Sequence, residues 1–195
     1  MDDITIQHGI PTTHIEQAAN LYYTAFYTKL QPIFRNDTNG KTVLQRSING
    51  DYAFAAIHQG ALVGLAGYKT ANGQLLDIQP NVMRDVFGFV GGWTRLLALA
   101  ILSRELEAET LLMDGIMVDE SMRGKGIGSR LLDAIMTYAC AQNYQHVRLD
   151  VVDTNPRARQ LYERKGFIAQ KSEHYRWLKP IFGFSGTTTM TRHCQ

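Results

Sequence analysis

Between Leu111 and Gln142 the chain changes its apolar period once, and the change falls on a loop carrying three glycines. Leu111 to Val118 reads as a strand. From Gly126 to Gln142 the apolar residues Ile127, Leu131, Leu132, Ile135, Met136 and Ala139 recur at helical intervals. The link is Arg123-Gly124-Lys125-Gly126-Ile127-Gly128. A loop that passes from a strand into a helix aims unsatisfied backbone N–H groups at whatever lies over the helix start, and the helix dipole favours an anion there. Glycine adds positive φ and close backbone approach. Arg123, Lys125 and Arg130 supply positive charge nearby. The expected ligand is therefore a phosphate compound. A Walker A loop is excluded, because Gly126 and Ile127 follow Lys125 where that motif needs a hydroxyl residue. The spacing Gly124, Gly126, Gly128 is also not the GxGxxG of a dinucleotide site, and it lies late in the chain. R-x-x-G-x-G remains, or a tight turn that binds nothing.

The elements around it follow from the same periodicities. Ile4 and Ile6 mark a first strand. Thr12 or Thr13 is expected to cap a helix, with Glu16 three residues past Thr13 closing a capping box, and with Ile15, Ala18, Ala19, Tyr22 and Phe26 on one face. Phe34 to Gly40 reads as a loop and Thr42 to Asn49 as a second helix. Tyr52 to His58 and Leu62 to Lys69 read as a hairpin around Gln59-Gly60-Ala61. The block Thr70 to Thr110 is an insertion. It opens with the turn Ala71-Asn72-Gly73, contains FGFVGGW (Phe87 to Trp93) with a hinge expected at Gly91-Gly92, and ends in a helix whose Trp93, Leu96, Leu97, Ala100 and Ile101 share a face. Leu99 and Leu102 widen that surface, so the helix is expected to be buried on more than one side. Val147 to Val152 reads as a central strand, Arg157 to Lys165 as a helix ended by Gly166, and Tyr175 to Leu178 and Thr187 to Thr191 as strand-like pieces. The order is that of a mixed α/β sheet protein.

Bulk properties remove several classes. A chain of 195 residues suits one domain, 1–195, with 70–110 as an insertion. A net charge of +2 gives no electrostatic case for nucleic acid. Six histidines form no HxH or HExxH pair, so no metal is expected. Cys140 and Cys194 lie far apart in sequence, which gives no disulfide framework and fits a reducing compartment. MDDITIQHGI has neither the basic nor the apolar region of a signal peptide, and the longest apolar run, Leu96 to Leu102, is far short of a membrane span. A cytoplasmic protein is expected.

A second motif, DTNPRARQLYERKGF (Asp153 to Phe167), stands downstream. The strand Asp114-Gly115-Ile116-Met117-Val118, the glycine loop, and Asn155, Ala158, Leu161, Tyr162, Gly166 and Phe167 together resemble the GNAT superfamily of acyl-CoA-dependent N-acetyltransferases. The resemblance implies a mostly antiparallel central sheet of six to seven strands flanked by helices, with the helical insertion lying between the third and fourth strands. It implies that Arg123, Gly124, Lys125, Gly126, Ile127, Gly128 and Ser129 cradle the pyrophosphate of coenzyme A, Lys125 being otherwise a solvated surface cation. Ile116, Met117 and Val118 would pair with the extended arm of acetyl-CoA as an added strand does. The acetyl oxygen would accept from the N–H of Met117 or Val118. Ala158 and Asn155 lie beside the arm in this reading, and Asn155 before Pro156 also suits a helix cap.

Two residues are candidates for proton transfer. Asp114 is expected to share the parity of Ile116 and Val118 and to act as a base, directly or through water; the alternative is a structural acceptor. Tyr162 stands where the family places its general acid; the alternative is an aromatic packed on Phe167. The implied reaction is attack by a primary amine of a small molecule or peptide on acetyl-CoA in a ternary complex, without a covalent enzyme intermediate. A second reading is an acyl-CoA-binding sensor or interaction module without turnover. The insertion, rich in Phe87, Phe89, Trp93 and leucines, is then either extra core or the interface of a homodimer. The acceptor pocket implied by the resemblance draws on Tyr22, Tyr23, Phe26, Tyr27, Phe34, His174, Tyr175 and Trp177. This aromatic, weakly charged set argues against a polycationic acceptor, which would want a carboxylate cluster.

Overall fold

The computed structural model describes residues 3–100, 105–175 and 179–194. The strands are β1 (Ile4–His8), β2 (Ala53–His58), β3 (Ala61–Thr70), β4 (Gly73–Gln74), β5 (Thr110–Val118), β6 (His146–Val152), β7 (Ile168–His174) and β8 (Gly186–His193). They form one sheet in the order β1-β2-β3-β5-β6-β8-β7, with the short β4 beside β3. Among the strands of the described residues, only β5 and β6 pair in parallel; the other strand pairs are antiparallel. The helices are α1 (Ile15–Ala25), α2 (Tyr27–Phe34), α3 (Asp37–Ser47), α4 (Pro80–Ala100), α5 (Ile127–Ala141), α6 (Pro156–Arg164) and α7 (Lys179–Phe182).

Two cores lie on opposite faces of this sheet. On one, α5 places Leu131, Leu132, Ile135 and Ala139, all fully buried, against Leu111, Met113, Val147 and Leu149. Each such leucine or isoleucine contributes about 1.5–3 kcal/mol by leaving water. On the other, α1 to α4 bury Ala18, Tyr23, Phe34, Leu44 and Met83 against Leu65 and Met117. The mixed, mostly antiparallel α/β architecture and the helical insertion agree with the sequence reading.

Several local expectations are corrected. No side chain caps α1: residues Thr12–His14 form a 3-10 turn, and His14 stands at the cap position. The segment read as a loop after Phe34 is the start of α3, because the Asn36 side chain accepts from the Asn39 N–H at 2.9 Å and caps the helix. The first tail strand lies earlier, at Ile168–His174; Tyr175 follows it and residues 176–178 lie outside the described residues. In the insertion the helix begins at Pro80 and breaks at Gly88 (φ 73°), not at Gly91-Gly92. Gly92 instead lies so close to the backbone of Met83 and Arg84 that a Cβ there would approach within 2.9 Å, so this glycine allows the two halves of α4 to touch. Burial is one-sided. Phe87 stacks on Phe34 at 6.0 Å, but Phe89, Trp93 and Leu97 are 69%, 57% and 71% exposed. Residues 105–107 are not helical, and 101–104 lie outside the described residues.

Folding also brings the two cysteines together. Burial first, then the neighbouring Cys140 thiol, pushes the Cys194 thiol up to about 12. Tyr23 and Tyr68 are pushed above the usual phenol value, in both cases chiefly by burial, with the Asp37 carboxylate adding to it at Tyr23. Groups raised in the folded state stabilise it fully below their ordinary values, 9.0 for the thiol and 10.0 for the phenols, and that stability is lost as pH climbs above them. Thermal unfolding followed from pH 7 to 11 should show a plateau, then a decline in Tm from about pH 9 upward. A Tm unchanged to pH 11 contradicts this.

Candidate active site

The parallel strands β5 and β6 pair only over Thr110↔His146, Leu111↔Val147 and Leu112↔Arg148. Beyond these, β5 stays paired with β3 and β6 with β8, so the two strands part. Among the described residues, no strand covers the β6-facing edge of 113–118.

A bulge lies on β5 at this point. Gly67 pairs with Gly115 but Tyr68 pairs with Met113, so Asp114 has no partner of its own on β3. The extra residue breaks the alternation. Met113 packs on the α5 face, and so do Ile116 and Val118. Asp114 faces the other side, where its Oδ2 accepts from the Tyr22 hydroxyl at 3.0 Å. The expected parity of Asp114 with Ile116 and Val118 is therefore corrected: one inserted residue turns the carboxylate to the α1 face. Gly115 faces the same way, and a Cβ there would meet the Phe26 ring at 2.8 Å.

Beyond the bulge the hydrogen-bond register decides which amides face the opening. The Asp119 N–H donates to the Val63 carbonyl at 2.9 Å, which makes 63–119 a bonded pair. Bonded and non-bonded pairs alternate in an antiparallel ladder. With Leu65 opposite Met117 and Gly64 opposite Val118, Met117 turns its N–H toward β3, while Ile116 and Val118 turn theirs to the open edge. The Met117 side chain is buried on the α1 face. Of the three residues expected along the arm, Ile116 and Val118 thus hold the outward donors.

The glycine loop stands at the end of that edge. Gly124 and Gly126 adopt positive φ, 82° and 77°, with open space where a side chain would begin. Gly126 caps α5, and the first helical bond runs from the Arg130 N–H to the Gly126 carbonyl at 3.1 Å. The N–H groups of Gly126, Ile127, Gly128 and Ser129 are thereby left without intrahelical partners at the positive end of the helix dipole. Arg123 Nε reaches the Val118 carbonyl at 3.4 Å, and its guanidinium lies 3.6 Å from Glu120. Lys125 Nζ lies 3.5 Å from Met122 Sδ. Arg130 does not serve the loop: it donates to the Ile4 carbonyl at 2.7 Å.

The second motif meets the first here. A Cβ placed on Gly128 would lie 3.6 Å from Leu161, 3.7 Å from Ile116 and 3.9 Å from Val118, so the start of α5, the open edge of β5 and α6 converge. Asn155 caps α6, its side chain accepting from the Ala158 N–H at 3.1 Å, with Pro156 in the first turn. Tyr162 lies on the same helix, 6% exposed, its ring centroid 6.0 Å from that of Phe167.

On the α1 side the parted strands open into a cavity of about 900 Å³, lined by Tyr22, Phe26, Asp114, Arg148, Asp150 and Tyr175 among others. A family model for GNAT acetyltransferases matches residues 15–167. The chain belongs to the GNAT acetyltransferase family. Membership implies acetyl transfer from acetyl-CoA. No curated protein matches the chain. Solved structures share the GNAT fold. An acetyltransferase superposes with TM-score 0.67 at 21% identity, covering 98% of this chain and 100% of that one. An N-acetyltransferase from Staphylococcus aureus Mu50 gives 0.63 at 15%, covering 99% of each chain. The protein yncA from Salmonella typhimurium, solved with its cofactor acetyl-CoA, gives 0.66 at 13%, covering 98% of this chain and 94% of that one.

The expected acceptor-side aromatics divide. Tyr22, Phe26 and Tyr175 line the large cavity, whereas Tyr23 and Phe34 are buried in the core, and His174 lines a smaller cavity under α6. Trp177 lies outside the described residues. The sequence reading missed Tyr22 as the donor to Asp114, and it missed Arg148 and Asp150. These two alternate with the buried Val147, Leu149 and Val151 along β6, a pattern visible in the sequence that points a polar face into the opening.

Proposed function

We propose that this GNAT chain, as one acetyltransferase-like domain, moves an acetyl group from acetyl-CoA to a primary amine of a small molecule or peptide by direct attack in a ternary complex. The observation that carries this is the convergence at Gly128. It sets the anion-binding helix start beside the open edge of β5, and that edge leads to a cavity on the far face of the sheet. Gly124 to Ser129 hold the pyrophosphate through backbone N–H groups, with Arg123 and Lys125 beside them. Since the phosphates lie beyond Val118, the arm runs back along β5 with its reactive end toward the bulge. Val118 pairs the arm, and the Ile116 N–H donates to the acetyl oxygen, where one such donor is worth about a hundredfold or more in rate. Acetyl-CoA supplies the acyl group as a thioester. Tyr162 donates a proton to the departing sulfur, and Asp114 takes the proton of the amine, directly or through water. Two free cysteines and this co-substrate fit a cytoplasmic enzyme.

The test is release of free thiol from acetyl-CoA by the purified protein across a panel of amines. Binding of acetyl-CoA without turnover of any amine would favour the sensor module instead. Asp114→Asn keeps an acceptor for the Tyr22 hydroxyl and removes the base. It should lower kcat/KM about a hundredfold at neutral pH. Full retained activity would make Asp114 a structural acceptor only.

A further inference from the structure

The cavity beside the bulge is much more acidic than its aromatic residues suggest. Among the described residues lining it are six carboxylates, Asp77, Glu105, Glu107, Asp114, Asp150 and Glu173, against three cations, Lys29, Lys69 and Arg148. They come from separate parts of the chain and meet only through the sheet order. Two of them flank the opening. The last β5–β6 pair is Leu112↔Arg148, so Asp114 and Asp150 sit two residues further, one on each arm of the parting strands. The Asp150 carboxylate is 6% exposed and accepts from the Thr189 hydroxyl. Glu173 follows across β8, opposite Thr187.

The cations balance only part of this charge, even with Lys171, which stands outside the lining and pairs with Glu173 at 2.5 Å. Arg148 is held between Glu107 at 2.5 Å and Asp150 at 3.8 Å, so its charge is already matched within the cavity wall. Lys29 shows what the aromatic wall itself accepts: its ammonium lies 5.5 Å from the Phe26 ring centre and 5.2 Å from that of Phe184. An ammonium group of the protein is thus seated on two rings that line the cavity. Carboxylates along a concave wall of low dielectric concentrate negative potential inside it. A volume of about 900 Å³ leaves room for a ligand with two functional ends.

We infer that the acceptor is a primary amine carrying a second positive charge, such as a diamine or an aminoalkyl guanidine. This rests on the amine acetylation proposed above. The attacking nitrogen is neutral when it reacts at the Asp114 end. The second nitrogen stays protonated, held by carboxylates and aromatic rings deeper in the cavity. An acceptor with a carboxylate meets repulsion in the same place.

The experiment compares three acceptors of one chain length: butylamine, 1,4-diaminobutane and 4-aminobutanoate, each by thiol release from acetyl-CoA. The diamine should exceed the monoamine in kcat/KM by about tenfold or more, with the amino acid slowest, and added salt should narrow the gap. Glu105→Gln, at an exposed position, and Asp150→Asn should each reduce the diamine-to-monoamine ratio. Equal or faster turnover of butylamine or 4-aminobutanoate overturns the charge inference while leaving amine acetylation intact. If acetyl-CoA binds and no amine of any charge is acetylated, both readings fall together.

Discussion

Tyr162→Phe should lower kcat about a thousandfold and leave the affinity for acetyl-CoA within about threefold. The substitution removes one oxygen and keeps the ring. The ring is what packs: it is 6% exposed, tilted against Phe167, and sits in the core beneath α5. Stability should fall by no more than about 1–3 kcal/mol, the cost of losing a hydroxyl contact, because a phenylalanine ring fills the same volume. The departing thiolate, by contrast, loses its proton donor, and a phenol is protonated throughout the neutral range. Steady-state kinetics with thiol release, beside direct titration of acetyl-CoA binding, separates the two effects. A kcat within threefold of the unaltered protein would make Tyr162 a packing residue and nothing more.

Gly126→Glu should weaken acetyl-CoA binding about a thousandfold without unfolding the protein. Gly126 caps α5 at φ 77° and has no atom within 4 Å of where a Cβ would stand, so a side chain fits the space. A residue with a Cβ at this positive φ is strained by about 1–3 kcal/mol with or without ligand, which lowers Tm modestly and leaves affinity alone. The loss of affinity comes from the added carboxylate, which competes for the unpaired N–H groups of the first turn and repels a phosphate. Losing two charge-assisted hydrogen bonds, each worth about 1.5–3 kcal/mol, reaches about a thousandfold in affinity. Isothermal titration measures it. A dissociation constant within tenfold would place the pyrophosphate elsewhere, while a large loss of Tm would show that the loop also supports the fold.

The elements of the two motifs were legible because their signals are local. The glycines at 124 and 126, the helical spacing of Ile127 to Ala139, and Asn155 before Pro156 each act within a few residues, and the structure places them as the spacing predicts. The Asn36 cap was equally local, but its short polar side chain also suits a loop, and the segment was read as one. The insertion shows another limit. Helical spacing identified apolar residues in α4, yet it did not reveal that Phe89, Trp93 and Leu97 would face solvent, since burial depends on what lies opposite.

By itself, the sequence determined the family, the glycine loop at the start of α5 and most of the element order, because helix starts, glycine turns and strand alternation are dictated by nearest neighbours along the chain. Only the tertiary structure decided where Asp114 points. A single bulged residue reverses its face, and the bulge exists because β3 and β5 pair out of step at Tyr68, far away in sequence. The acidic cavity was likewise invisible. Its carboxylates are scattered from Asp77 to Glu173, and they share one space only because β5 and β6 part after three pairs. An aromatic inventory of the first helices therefore suggested a weakly charged acceptor, and the assembled cavity points to a cationic one.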